Sequence, residues 1–309
     1  MKSSIIRRVL LGTLVLGLIA GITVVEIDNA NLTAAIAKQN AESKPDPIPE
    51  NPDPIPEVEE PISQIQVIKD KLAQDGCNLN ADITTVRLAL GTCKFLLIGD
   101  SLGNNLAYGM IPQLSEQTTL TFTRQAKAST GLSNPWFYNW HTNLATFLKT
   151  YKPNLVIVFL GANDRQDYVI NRVRQVFGTE AWKKTYRANI SKLATAATKS
   201  GAYVLWIGMP IMKPYNYAKG ITLIDEQFAL TVPKVPGAIY LGTRAYTADA
   251  SGAYRGWAMV NGKYSQIRGE DGIHFTAMGQ QVMATYVINY INRTYHVKLT
   301  PHNPRYITK

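Results

Sequence analysis

The stretch "KFLLIGDSLGNNLAYG", residues 94–109, decides the fold class. Phe95, Leu96, Leu97 and Ile98 are four large apolar residues in a row, with no polar alternation between them. Such a run fits a strand buried on both faces, as in a parallel sheet. After Gly99-Asp100-Ser101 the apolar residues Leu102, Leu106 and Met110 recur at helical spacing, so the chain passes from strand to helix within three residues. Ser101 stands at that junction, with Gly99 before it and Gly103 after it. Serine is a favoured helix N-cap. The same position also exposes a hydroxyl and leaves a backbone N–H without a helical acceptor. The stretch alone leaves cap and nucleophile both open.

Outward from residue 109 the alternation repeats. Further strands are expected at 120–123, 155–160, 203–207 and 239–241. Helices are expected at 102–114, 136–151, 180–199 and 277–291. Short apolar strands interleaved with helices predict a mostly parallel sheet covered on both faces, a three-layer α/β/α architecture. Two stretches break the rhythm: residues 209–237 form a long strand-to-helix excursion, and residues 254–275 read as a hairpin turning at Asn261-Gly262, a dipeptide suited to a type I′ turn. Both are expected at the C-terminal ends of strands, where open α/β sheets place their ligands.

The chain has 309 residues, 46% hydrophobic and 17% charged, enough for a full core. Its start differs in kind from the rest. Lys2, Arg7 and Arg8 precede an uncharged apolar run over residues 9–25, just long enough to cross a bilayer. Residues 1–27 are therefore read as a membrane anchor or signal segment. A cleaved signal peptide is the rival, but the A-x-A-like site at Ala35-Ile36-Ala37 lies well past the apolar run. The positive flank keeps the N-terminus inside and sends the remainder across. The remainder of the chain is therefore expected beyond that membrane, in an exported compartment. Residues 28–61 form a linker rich in proline and acid, in which the hexapeptide PDPIPE occurs at 45–50 and again at 52–57. Proline at this density gives a stiff, extended spacer.

Charge is unevenly divided. Residues 1–37 carry three basic and two acidic side chains, residues 38–61 two basic and seven acidic ones; the total of +10 leaves +14 on residues 62–309. A domain so basic favours anionic surroundings. No motif of interleaved aromatic and basic residues accompanies the charge, so no nucleic-acid partner is expected. The two cysteines, Cys77 and Cys93, precede the first strand. An oxidising compartment allows them to pair as a disulfide, and no histidine cluster lies near enough to make them a zinc site.

Nucleophilic serine chemistry needs a base, a group that orients the base, and donors for an oxyanion. Four histidines are available. His141 lies in an aromatic-rich helical pattern and reads as structural, while His296 and His302 belong to the C-terminal tail. His274 follows Asp271 by three residues in "GEDGIHFTAMG", just before the last helix. An Asp-x-x-His turn can set the carboxylate on one imidazole nitrogen and leave the other for the reaction. In "VIVFLGANDRQDY", residues 156–168, Asn163 follows a strand end, where its amide can meet developing negative charge. In "KASTGLSNP", residues 127–135, Gly131 permits close backbone approach and offers a further N–H. Asp100 and Asp164 are assigned to structure. The GDSLGN segment lacks the spacing of a dinucleotide-binding glycine loop.

Taken in order, Gly99-Asp100-Ser101-Leu102, Gly131, Gly161-Ala162-Asn163-Asp164 and Asp271-Gly272-Ile273-His274 resemble the four blocks of the SGNH/GDSL-type hydrolase superfamily, and "GANDRQ" and "DGIHFTAMG" resemble a bacterial, envelope-associated subgroup of it. The resemblance spans residues 94 to about 292 and leaves 1–93 unaccounted for. It implies a flavodoxin-like sheet in a catalytic domain over 62–309, and ester chemistry without metal or other cofactor. It also implies a triad of Ser101, His274 and Asp271, with the Ser101 and Gly131 N–H groups and the Asn163 amide as oxyanion hole. The expected substrate is an acylated small molecule or glycan, foremost an O-acetylated, anionic envelope polymer. Tyr215, Tyr217, Trp257 and Tyr264 in the two excursions are candidates to stack on sugar rings. Transfer of the acyl group to a glycan hydroxyl, and a non-catalytic glycan-binding scaffold, are the alternatives. Oligomeric state is not legible.

Overall fold

A computed structural model describes residues 93–115, 120–170, 172–295 and 299. The expected membrane segment at 1–27, the expected linker at 28–61, Cys77, His296 and His302 lie outside the described residues. Among those described, no helix is long and apolar enough to cross a membrane.

The opening stretch folds as read. Strand β1 (Cys93–Gly99) is buried at every position except Lys94, and helix α1 (Ser101–Leu114) follows after a single residue. One detail differs. The N-cap is Asp100, whose side chain accepts from Leu102 N, and Ser101 is the first helical residue. β2 (Leu120–Ala126), α2 (Trp140–Tyr151) and β3 (Leu155–Phe159) come next. A small antiparallel hairpin, β4 (Tyr168–Ile170) with β5 (Val173–Gln175), precedes α3 (Glu180–Lys199). After β6 (Tyr203–Ile207) the chain forms α4 (Tyr215–Thr231) and a 3-10 turn (Val232–Lys234), then β7 (Ala238–Leu241) and the short α5 (Arg244–Thr247). Hairpin β8 (Trp257–Val260) and β9 (Lys263–Gln266) leads to the final helix, α6 (Ala277–Tyr295).

Five strands form one parallel sheet in the order β2-β1-β3-β6-β7. From β1 the chain steps to one side for β2 and to the other for β3, so the order reverses between β1 and β3. Ligands of open α/β sheets bind outside the carboxyl ends of strands at such a switch. α1 packs on α6, and α2, α3 and α4 pack in series, giving two helical layers about the sheet. The core runs through Leu96, Leu97, Ile98, Val156, Ile157, Phe159, Leu205 and Trp206, all fully buried. A second, smaller cluster of Ala258, Val260, Ile267 and Val282 seats the β8–β9 hairpin beside α6.

Two expectations need correction, and one element was not expected. The helix expected over 136–151 begins at Trp140, because Asn139 caps it through Thr142 N and Trp136 and Phe137 lie exposed in the preceding turn. The excursion at 209–237 is mostly helix, α4, which starts at a proline N-cap without a side-chain cap. The β4–β5 hairpin has no counterpart in the sequence reading. The turn at Asn261-Gly262 is as expected, with φ of 53° and 76°, both positive as a type I′ turn requires.

Candidate active site

Ser101 and His274 meet across the carboxyl ends of β1 and β3. His274 Nε2 lies 2.8 Å from Ser101 Oγ, and His274 Nδ1 lies 2.6 Å from Asp271 Oδ2. A carboxylate only accepts, so Nδ1 carries the proton toward Asp271 and Nε2 accepts from the serine hydroxyl. The second oxygen, Asp271 Oδ1, accepts the Ile273 N–H at 2.9 Å and the His274 N–H at 3.0 Å. Desolvation alone would raise this carboxyl. The bonds from the His274 ring and the two N–H groups outweigh it and hold Asp271 down at about 2. Both side chains remain open to solvent, His274 at 42% and Asp271 at 46% exposure. The loop needs glycine at 272, where φ is +66° and a Cβ would strike the Lys213 side chain.

Asp100, next to the serine, is fully buried and works as a crosslink. Its Oδ1 accepts from Leu102 N at 2.8 Å; its Oδ2 accepts from Gly161 N at 3.0 Å and Ala162 N at 2.9 Å. Burial pushes its carboxyl up to about 6 against the pull of those three donors. The N-terminus of α1 is thereby tied to the turn carrying Asn163. Asp164 ties a third segment to the same turn: its Oδ1 accepts from Ser133 N and Ser133 Oγ at 2.8 and 2.7 Å, and its Oδ2 accepts from Tyr186 OH at 2.7 Å. Gly131 presses against this carboxylate so closely that a Cβ would overlap Asp164 Oδ1. Asn163 Nδ2 donates to Thr130 O at 3.0 Å, which sets its amide against the peptide unit joining Thr130 to Gly131. The structural roles expected for Asp100 and Asp164 are those observed.

Ser101, His274, Asp271, Asn163 and Gly131 therefore belong to one constellation, built from the turns after β1, β2 and β3 and the loop before α6. The four candidate aromatic residues divide. Tyr217 is half-buried; its hydroxyl donates to Ala162 O at 2.5 Å, and burial raises it well above a free phenol. It walls the Asn163 turn. Tyr215 carries Lys219 over its ring at 4.4 Å. Trp257 and Tyr264 stack on one another at 5.6 Å on the outer face of the β8–β9 hairpin, 47% and 64% exposed. His141 is structural, as expected: its Nε2 lies 3.1 Å from Asn189 Oδ1 and burial lowers the imidazole. Cys93 is disulfide-bonded; the expected partner, Cys77, lies outside the described residues. No group of three metal-ligating side chains occurs among the described residues.

Sequence reasoning passed over Arg268. It lies three residues before Asp271, is buried, and donates to the carbonyls of Gly272 and Ile273. A single arginine between an isoleucine and a glycine gives no sign that it points inward.

Among solved structures the chain is similar to TesA, with 18% identity, 65% of this chain and 99% of that chain covered, and a TM-score of 0.46. It is similar to the psychrotrophic esterase EstA from Pseudoalteromonas sp., with 17% identity, coverage of 65% and 97%, and a TM-score of 0.45. The periplasmic domain of a lipopolysaccharide acetyltransferase from Salmonella ser. Paratyphi A gives 16% identity, coverage of 77% and 98%, and a TM-score of 0.47. No curated protein matches the chain. A family model described as "Protein of unknown function (DUF459)" matches residues 94–290. That match covers more than half of the 309 residues, so the chain belongs to the DUF459 family.

Proposed function

We propose that the protein is a serine ester hydrolase acting on O-acylated, foremost O-acetylated, glycans of the cell envelope. The observation that carries the reading is the continuous hydrogen-bonded line from Ser101 Oγ through the His274 ring to Asp271, at 2.8 and 2.6 Å. His274 Nε2 takes the hydroxyl proton as Ser101 Oγ bonds to the ester carbonyl carbon. The carbonyl oxygen becomes an oxyanion, met by the N–H groups of Ser101 and Gly131 and by the Asn163 amide. Asn163 has an N–H to spare beyond its bond to Thr130 O. Collapse breaks the ester C–O bond, and the imidazolium returns its proton to the departing alcohol. Water, deprotonated by His274, then attacks the acyl-enzyme, releases the carboxylate and restores the serine. Asp271 holds the imidazole in the tautomer the first step requires and stabilises the imidazolium.

Two features support a charged glycan as substrate. Residues 62–309 carry +14, which attracts anionic polymers. The Trp257–Tyr264 pair is an exposed aromatic platform on the hairpin that runs into the His274 loop. Half-exposed His274 and Asp271 admit water, which favours hydrolysis over transfer. Export and a membrane tether, from residues 1–61, complete the proposal.

The test uses the full-length chain. With p-nitrophenyl acetate, Ser101→Ala is expected to lose roughly 10⁴-fold or more in kcat, and a fluorophosphonate probe is expected to label the wild type but not the variant. Unchanged turnover in Ser101→Ala sinks the triad. Free acetate measured against acetylated product, with acetylated and deacetylated glycans supplied together, separates hydrolysis from transfer.

A further inference from the structure

Arg268 lies between β9 and the Asp271–His274 loop and is only 1% exposed. No carboxylate among the described residues forms an ion pair with it. Burial pulls its guanidinium down to about 10, which leaves it charged at neutral pH. An unpaired buried cation is costly, and methionine would occupy a similar volume without that cost. What methionine lacks is a planar fork of donors. Arg268 Nη1 donates to Ile211 O at 2.8 Å, in the loop leading from β6 to α4. Arg268 Nη2 donates to Ile273 O at 2.8 Å and reaches Gly272 O and Met212 Sδ, each at 3.3 Å. The guanidinium carbon lies over two rings, 4.6 Å from the centre of Phe275 and 5.2 Å from that of Tyr254. Gly272 and Ile273 are the two residues between Asp271 and His274, so the fork grips the span whose shape sets where the imidazole points.

We infer that Arg268 is a positioning residue. It fastens the Asp271–His274 turn to the loop after β6, so that His274 Nε2 faces Ser101 Oγ while Nδ1 stays on Asp271. The carboxylate of Asp271 organises the N–H side of this turn, through Ile273 N and His274 N; Arg268 organises its carbonyl side. The inference rests on the hydrolase reading for its kinetic consequence but not for its geometry.

Three full-length variants and the wild type test it, with active sites counted by fluorophosphonate titration. Arg268→Met is expected to lower kcat per titrated site about 30-fold, with KM for p-nitrophenyl acetate within twofold, the mark of a misdirected base. Arg268→Lys keeps charge and some donors, and is expected to recover part of that loss. Tyr254→Leu keeps every hydrogen bond of Arg268 but removes one ring face, and is expected to cost about threefold in kcat. By proton NMR, the far-downfield signal of the His274 Nδ1–H bonded to Asp271 should be present in wild type and lost in Arg268→Met. Wild-type kcat per site in both Arg268 variants, with that signal in place, overturns the inference. If neither Arg268 variant folds, Tyr254→Leu decides, and full kcat in it overturns the inference. A wild type that neither turns over nor labels sinks the hydrolase reading alone; the NMR signal still shows whether Arg268 holds His274 on Asp271.

Discussion

Asn163 gives one amide hydrogen to Thr130 O at 3.0 Å, and an amide nitrogen has two. The bond fixes the plane of the group, so the second hydrogen has a fixed direction before any substrate arrives. Asn163→Ala is expected to lower kcat by about 10²- to 10³-fold, the usual cost of one oxyanion donor, with little change in thermal stability; kinetics and calorimetry on the same sample check this. Asp225 makes a different prediction. It is buried, accepts from Met209 N at 2.7 Å and Tyr240 OH at 2.9 Å through Oδ1, and has no partner at Oδ2. Burial raises its carboxyl to about 7, while an aspartate in the unfolded chain titrates near 4. The folded state thus holds this proton more tightly. The group's stabilisation is complete below about pH 4 and is lost as pH rises through its folded value. Asp225→Asn keeps the Oδ1 acceptor and cannot ionise. Its melting temperature is expected to fall less than that of wild type between pH 4 and pH 8, as read by scanning calorimetry.

At the scale of elements, the β8–β9 hairpin presents an exposed pair of stacked rings, the surface on which the proposed glycan substrate would be held. Ala258 and Val260 face inward, and Trp257 and Tyr264 face out. Trp257→Ala and Tyr264→Ala are expected to raise KM for acetylated oligosaccharides several-fold, since ring stacking is worth about 1 kcal/mol, while p-nitrophenyl acetate turnover stays level. Equal effects on both substrates would assign the rings to packing instead. This hairpin was legible because Asn-Gly demands a particular turn. α4 was not, because Tyr215–Thr231 opens after Pro214 without a capping side chain and contains Gly220 next to β-branched Ile221 and Thr222, a poor helix on local propensity. Burial of Ile221, Ile224 and Phe228 forms it instead. The strands of the β4–β5 hairpin have three residues each, too few to show alternation. Of the site, Ser101, Asn163, Asp271 and His274 stood in recognisable local contexts at turns. Arg268 did not, because its role depends on carbonyls whose orientation no residue type announces.

At the scale of the whole molecule, charge and topology act together. If the substrate is an anionic polymer, the field of a +14 domain contributes to its capture, and that contribution is screened within about 8 Å at physiological ionic strength. KM for such a polymer is expected to rise several-fold between low and high salt, whereas a neutral acetyl ester shows no such trend; steady-state assays across a salt series check it. The sheet order that places β1 beside β3 has a further consequence in time. Ser101 and His274 are separated by 173 positions in the chain, with β2, β3, β6 and β7 formed from the residues between. A growing chain presents its serine early and its base only after nearly the whole domain has been synthesised. Long-range closure of this kind comes late in folding, because the entropy of the intervening loop must be lost first. A truncated or half-folded chain would therefore carry the Ser101 hydroxyl without His274 beside it, and the proposed ester cleavage would begin only once the domain has closed on itself.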